Sequence, residues 1–157
     1  MMPDDYAPEQ PKTANSGRSP GDHIWLRGGV VLWGVITFVW MAPEDDSVLP
    51  PVLLGLWLSA LLVLWLTSRL ALRPSRLVTA AVGLVAGLMI GAGTGPCAVL
   101  LMVVKNARHG HLYPDYPPDV LLDTLARMPH WALAGGLIGI GIICFRWAAR
   151  RGPASPV

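Results

Sequence analysis

Charge is scarce in this chain. Charged residues make up 14% of its 157 positions, against roughly 25% in a soluble domain. Between Arg76 and Lys105 there are 28 consecutive residues without a charge. The net charge of +2 is too small to argue for nucleic acid as a partner. Cysteine is also scarce. Cys97 and Cys144 both fall inside apolar runs, where a thiol is a small packing residue.

Each absence removes a class of function. No Asp, Glu, Lys or His falls in the middle of an apolar run, whereas proton-coupled transporters and ion pumps commonly carry one there. No intramembrane His pair suggests haem. No Ser/His, Cys/His or paired-carboxylate arrangement suggests hydrolysis. The run Gly91-Ala92-Gly93-Thr94-Gly95 lacks the Gly-Lys-Ser/Thr ending of a phosphate loop and lies in an apolar stretch, so it is not read as one. No cofactor and no enzymatic activity are expected on these grounds.

What remains is apolar. Hydrophobic residues make up 53% of the chain, and the expected fold is an all-α membrane protein, a four-transmembrane-helix bundle. The spans are expected at about 24–41, 49–66, 77–104 and 131–147, each approaching or exceeding the ~20 residues that cross a bilayer. They form one domain over 24–151. The polar, Pro- and Gly-bearing tail 1–23 cannot build a core and is expected to be disordered. It has no apolar segment after a short basic start, so the run from Ile24 is expected to remain as an uncleaved anchor. Residues 152–157 read as a second tail. Trp25 with Trp40, and Trp131 with Trp147, bracket the first and fourth spans and suit aromatic belts.

Orientation follows the basic residues. Lys12, Arg18 and Arg27 precede or open span one, Arg69, Arg73 and Arg76 lie in the second loop, and Arg146, Arg150 and Arg151 close the chain. Opposite them are Lys105, Arg108 and Arg127. Both termini are therefore expected in the cytoplasm, with the protein in a bacterial inner membrane. Cys97 then lies near the outer end of span three and Cys144 near the inner end of span four, too far apart for a disulfide.

The packing signal is glycine. Gly83, Gly87, Gly91 and Gly95 recur every four residues in span three, and Gly135 and Gly139 repeat the spacing in span four. Such residues share one helix stripe and let membrane helices approach closely. Spans three and four are expected to cross there, with Gly55 and Ser59 giving span two a weaker version. Span three is long for a bilayer, which suggests a bend near Gly91–Pro96 or an extension beyond the membrane.

The loop between spans three and four concentrates polar groups. Asp119 is a plausible N-cap for a short interfacial helix over about 119–128, with Asp123 and Arg127 as an i,i+4 ion pair. His109, His111 and Asp115 are weak metal-ligand candidates, because Gly110 could bring the two imidazoles to one side. Tyr113 and Tyr116 read as interface anchors.

The leading expectation is a non-catalytic accessory, assembly or scaffold subunit. Its partners are the lipid bilayer and other membrane subunits or further copies of itself. A transport component or oligomeric pore-former is the alternative, and a metal or redox protein using the loop residues is the third.

Overall fold

The computed structural model of the protein describes residues 21–43, 46–69, 76–110 and 114–150. Among them all regular structure is helical: α1 Gly21–Trp40, α2 Leu49–Arg69, α3 Arg76–His109, α4 Pro118–Ala126 and α5 Met128–Arg150. Three helical stretches are long and apolar enough to cross a membrane: Leu49–Arg69, Val78–His109 and Pro118–Ala149. The apolar part of α1, Ile24–Trp40, is shorter. The expected N-terminal tail differs at its end, since α1 begins at Gly21. Residues 1–20 and 151–157 lie outside the described part.

The helix ends have local causes. Pro50 and Pro51 stand in the first turn of α2, where a missing N–H breaks no internal bond. The end of α3 is set by Gly110, whose φ of 58° is the left-handed conformation that a glycine adopts without a Cβ penalty. Its N–H donates to the Asn106 carbonyl at 3.2 Å, closing the helix with a single αL cap. The helix between runs unbroken through Pro96. Pro117, not Asp119, is the N-cap of α4, and Asp119 falls in its first turn. Proline directly after the cap explains the shift, because Pro118 enters a helix best at its first position. Only Arg127 separates α4 from α5. Pro129 has no N–H to give the Leu125 carbonyl, which interrupts the ladder there.

The centre of the molecule is α3. It packs against α5 on one side and α2 on another, and α1 reaches the rest chiefly through α2. The α3–α5 contact is made at backbone distance. A Cβ on Gly87 would meet the carbonyl of Gly135, and one on Gly135 would meet the carbonyl of Gly87. A Cβ on Gly139 would stand 2.5 Å from the Gly83 carbonyl oxygen, and one on Gly91 would stand 2.6 Å from the Trp131 carbonyl carbon. Each four-residue step up α3 is thus met by a four-residue step down α5, so the helices run antiparallel in a fixed register. Hydrogens on glycine Cα atoms point at facing carbonyls, a Cα–H···O arrangement worth perhaps ~0.5–1 kcal/mol per contact.

The α2–α3 contact uses the same device. A Cβ on Gly55 would lie 2.6 Å from the Ala98 nitrogen and 2.8 Å from the Thr94 carbonyl oxygen. One turn on, the Ser59 hydroxyl donates to the Ile90 carbonyl at 2.9 Å and fills the space over Gly93. Leu84 and Leu88 belong to the α3–α5 contact as well, since their methyl groups pack over Gly136.

Candidate functional site

Polar chemistry concentrates where α1 ends, α2 begins and the chain turns from α3 into α4. At its centre is Lys105. Ala98, Leu101, Met102 and Lys105 are all buried, at the three- and four-residue steps of one helix face. Lys105 itself is fully buried, with 0% of its surface exposed. Its Nζ lies 4.8 Å from the centroid of the Trp40 ring and 5.7 Å from that of Tyr116. A cation so placed is attracted by the ring faces, by roughly 2 kcal/mol or more when water is excluded. The aromatic pair therefore offsets part of the cost of burying an amine head.

Tyr116 is held on three sides. Its hydroxyl donates to the Ser47 carbonyl at 2.9 Å, and its N–H donates to Asn106 Oδ1 at 3.0 Å. Asn106 Nδ2 donates back to the Tyr116 carbonyl at 2.8 Å. This reciprocal amide pair pins the loop to the last turns of α3. Beside it, His109 Nδ1 and Asp115 Oδ2 lie 2.7 Å apart, both mostly covered. Farther out, Arg127 and Asp123 pair at 3.0 Å on the exposed side of α4. Leu54, Leu101 and Met102 pack with Trp40 and Tyr116 in one apolar cluster, and the Trp33 indole ties α1 to α2 by donating to the Leu54 carbonyl at 2.9 Å.

Two of the expected loop residues come together, His109 and Asp115. His111 lies outside the described residues, as does Tyr113, and among the described residues no three His, Cys, Asp or Glu side chains gather as a metal site. Trp40 and Tyr116 turn their rings inward. They are 8% and 1% exposed, each has its ring close to the Lys105 amine, and the Tyr116 hydroxyl has an acceptor in the Ser47 carbonyl. Sequence reasoning missed Lys105 by closing the third span at Val104. Two polar atoms of the region, Thr37 Oγ1 and Trp40 Nε1, are buried without a hydrogen-bond partner among the described residues.

The glycines divide by neighbour. Gly83, Gly87 and Gly91 face α5, with Gly135 and Gly139 opposite, and Gly95 faces the Trp131 side chain of the same helix, where a Cβ would stand 3.2 Å from the ring. Cys97 and Cys144 are both free thiols.

The arrangement joins four segments of chain around one buried amine. As a whole it is a clasp, closed over by its own rings, and its hydrogen bonds run from one part of the chain to another. No protein-family model matches this chain, and no curated protein or solved structure matches it either.

Proposed function

We propose that the protein is a non-catalytic membrane subunit whose task is assembly: it holds a rigid set of helices in the bilayer and presents them to another membrane protein. All four long helices, α1, α2, α3 and α5, cross the membrane in this reading, with both termini in the cytoplasm of a bacterial cell and α4 lying in the outer interface. The apolar part of α1, Ile24–Trp40, makes about 25 Å of helix, at the short end of the ~17–25 residues that a membrane span uses.

The observation that carries the reading is how the interior is used. On the faces it turns to α2 and α5, α3 is in contact at backbone distance. The Ser59 hydroxyl of α2 and the Thr94 hydroxyl of α3 are both bonded to the Ile90 carbonyl. That packing favours a fixed scaffold over a polar path. The outward surface is apolar, with Val31, Val35, Phe38 and Val39 of α1 all exposed, a face suited to lipid and to a neighbouring helix.

Native mass spectrometry of the protein released in a mild detergent tests this. The expected result is a complex of fixed stoichiometry with at least one other membrane polypeptide. A discrete ring of identical copies would favour a pore-former instead, and a monomer in every mild detergent would remove the assembly role.

A further inference from the structure

Both α2 and α5 pack on α3, but the backbones of α2 and α5 stay apart. Along α3 and beside α5 runs a lateral groove of about 920 Å³, to which α2 contributes Val52 and Leu56 at one end. Its floor is α3, from Thr79 through Ala86 and Ile90 to Thr94. One wall is α5, where Ala134, Ile138 and Ile142 follow one another at four-residue spacing. The next residue of that series is Arg146, which closes the groove with Trp147 beside it. Val52, Leu56 and Trp131 line the opposite end.

The floor from Thr79 to Thr94 is about 22 Å of helix. The chemistry of the lining selects the occupant. The lining is apolar along its length and cationic at one end. The Thr94 hydroxyl is already bonded to the Ile90 carbonyl. Arg146 is exposed, and no ion pair engages it among the described residues. A guanidinium binds phosphate oxygens in a bidentate fork, and the adjacent indole suits the headgroup level.

We propose that this groove is a binding site for an anionic phospholipid, with an acyl chain lying along α3 beside α5 and the phosphate on Arg146. The site is lined in part by Gly83, Gly87, Gly91, Gly135 and Gly139 of the α3–α5 contact; it rests on the membrane-spanning reading above but not on the presence of a second polypeptide.

The experiment uses the full chain, purified in mild detergent, freed of native lipid and mixed with phosphatidylglycerol or phosphatidylcholine of the same acyl chains. Native mass spectrometry at rising collision energy reads retention. The expected result is one phosphatidylglycerol retained at energies that strip phosphatidylcholine. Arg146→Gln should reduce that preference at least about fivefold, the discrimination of one basic residue for one net negative charge. Ala134→Trp, which fills the groove from an exposed wall position, should abolish retention of both lipids while helicity by circular dichroism stays unchanged.

Equal retention of the two lipids, an unaltered preference in Arg146→Gln, or undiminished lipid binding in a folded Ala134→Trp protein would each overturn the proposal. So would a disulfide between chains through Ala134→Cys, which would make a second copy the occupant. Whether another polypeptide copurifies is read in a separate spectrum, so failure here leaves the assembly reading standing.

Discussion

At the scale of single residues the decisive feature is a lysine with no exposed surface. A buried amine head is expensive to leave without compensation, and here the Trp40 and Tyr116 rings cover it. The chain has two lysines, Lys12 and Lys105, so amine labelling is easy to read. With an amine-reactive ester in mild detergent, the peptide bearing Lys105 should stay unmodified until the protein is denatured. Labelling in the folded protein as fast as in the denatured one would contradict the clasp. Thr37 gives an independent check. Its hydroxyl is buried with no partner among the described residues, and an unsatisfied buried polar group costs roughly 1–3 kcal/mol. Thr37→Val keeps the shape and removes that cost, so the melting temperature in detergent should hold or rise; a clear fall would mean that the hydroxyl is bonded. Lys105 was legible in the sequence by one route. The buried face of α3 steps through Thr94, Ala98, Leu101 and Met102, and the next step on the same face is Lys105. A span ended at the first charge conceals it, because a hydropathy boundary treats a lysine as solvent-bound whatever the helix phase. The faces of Trp40 and Tyr116 were not legible. Sequence places an aromatic near a membrane interface but does not tell whether its ring turns toward lipid or toward a cation inside.

At the scale of helices the glycines separate into two populations. Gly87 and Gly135 each leave room for the other's carbonyl, while Gly34 and Gly141 have nothing within 4 Å of the place where a Cβ would stand. Alanine is therefore a sharper probe than leucine. Gly87→Ala and Gly135→Ala must push two backbones apart, and overpacking of this kind costs about 1–3 kcal/mol. Gly34→Ala and Gly141→Ala meet no neighbour and improve helix propensity, so they should be neutral or stabilising. Thermal unfolding in detergent compares the four, and equal responses would sink the account of the α3–α5 contact. Val85 and Met89 are the suitable off-contact controls, since both are more than half exposed, whereas Leu84 and Leu88 pack over Gly136. The four-residue spacing exists in the sequence, and so does the length of each apolar run. The register was not readable there. A repeat of four fits several offsets equally well, and only the pairing of Gly83 with Gly139 and Gly87 with Gly135 singles one out. The start of α4 was misjudged for a local reason: Asp119 is a good capping residue, but the prolines before it decide the boundary.

At the scale of the whole molecule the open matter is direction through the bilayer, and the charges set an expectation for it. The uncharged stretch between Arg76 and Lys105 is 28 residues, about 42 Å of helix. That matches the ~40–45 Å of a bilayer with its headgroup layers, so an upright α3 needs no bend, and its last turns stand at the far interface. On the four-span reading the clasp around Lys105 is expected at headgroup depth, on the side with three basic residues against nine on the other. The positive-inside bias puts the larger number in the cytoplasm. Single cysteines can read this, in a background with Cys97 and Cys144 changed to alanine. Asp46 and Asp119 are exposed at the clasp end of the molecule, and Ser68 and Ala149 are exposed at the other. A membrane-impermeant maleimide added to intact cells should label Asp46→Cys and Asp119→Cys and spare Ser68→Cys and Ala149→Cys until the membrane is opened. The reverse pattern would invert the orientation and place Arg146 in the outer leaflet. Labelling of Asp46→Cys and Ser68→Cys from the same side would mean that α2 does not cross at all. The test is independent of partner and lipid, because it asks only which helix ends share a face of the membrane.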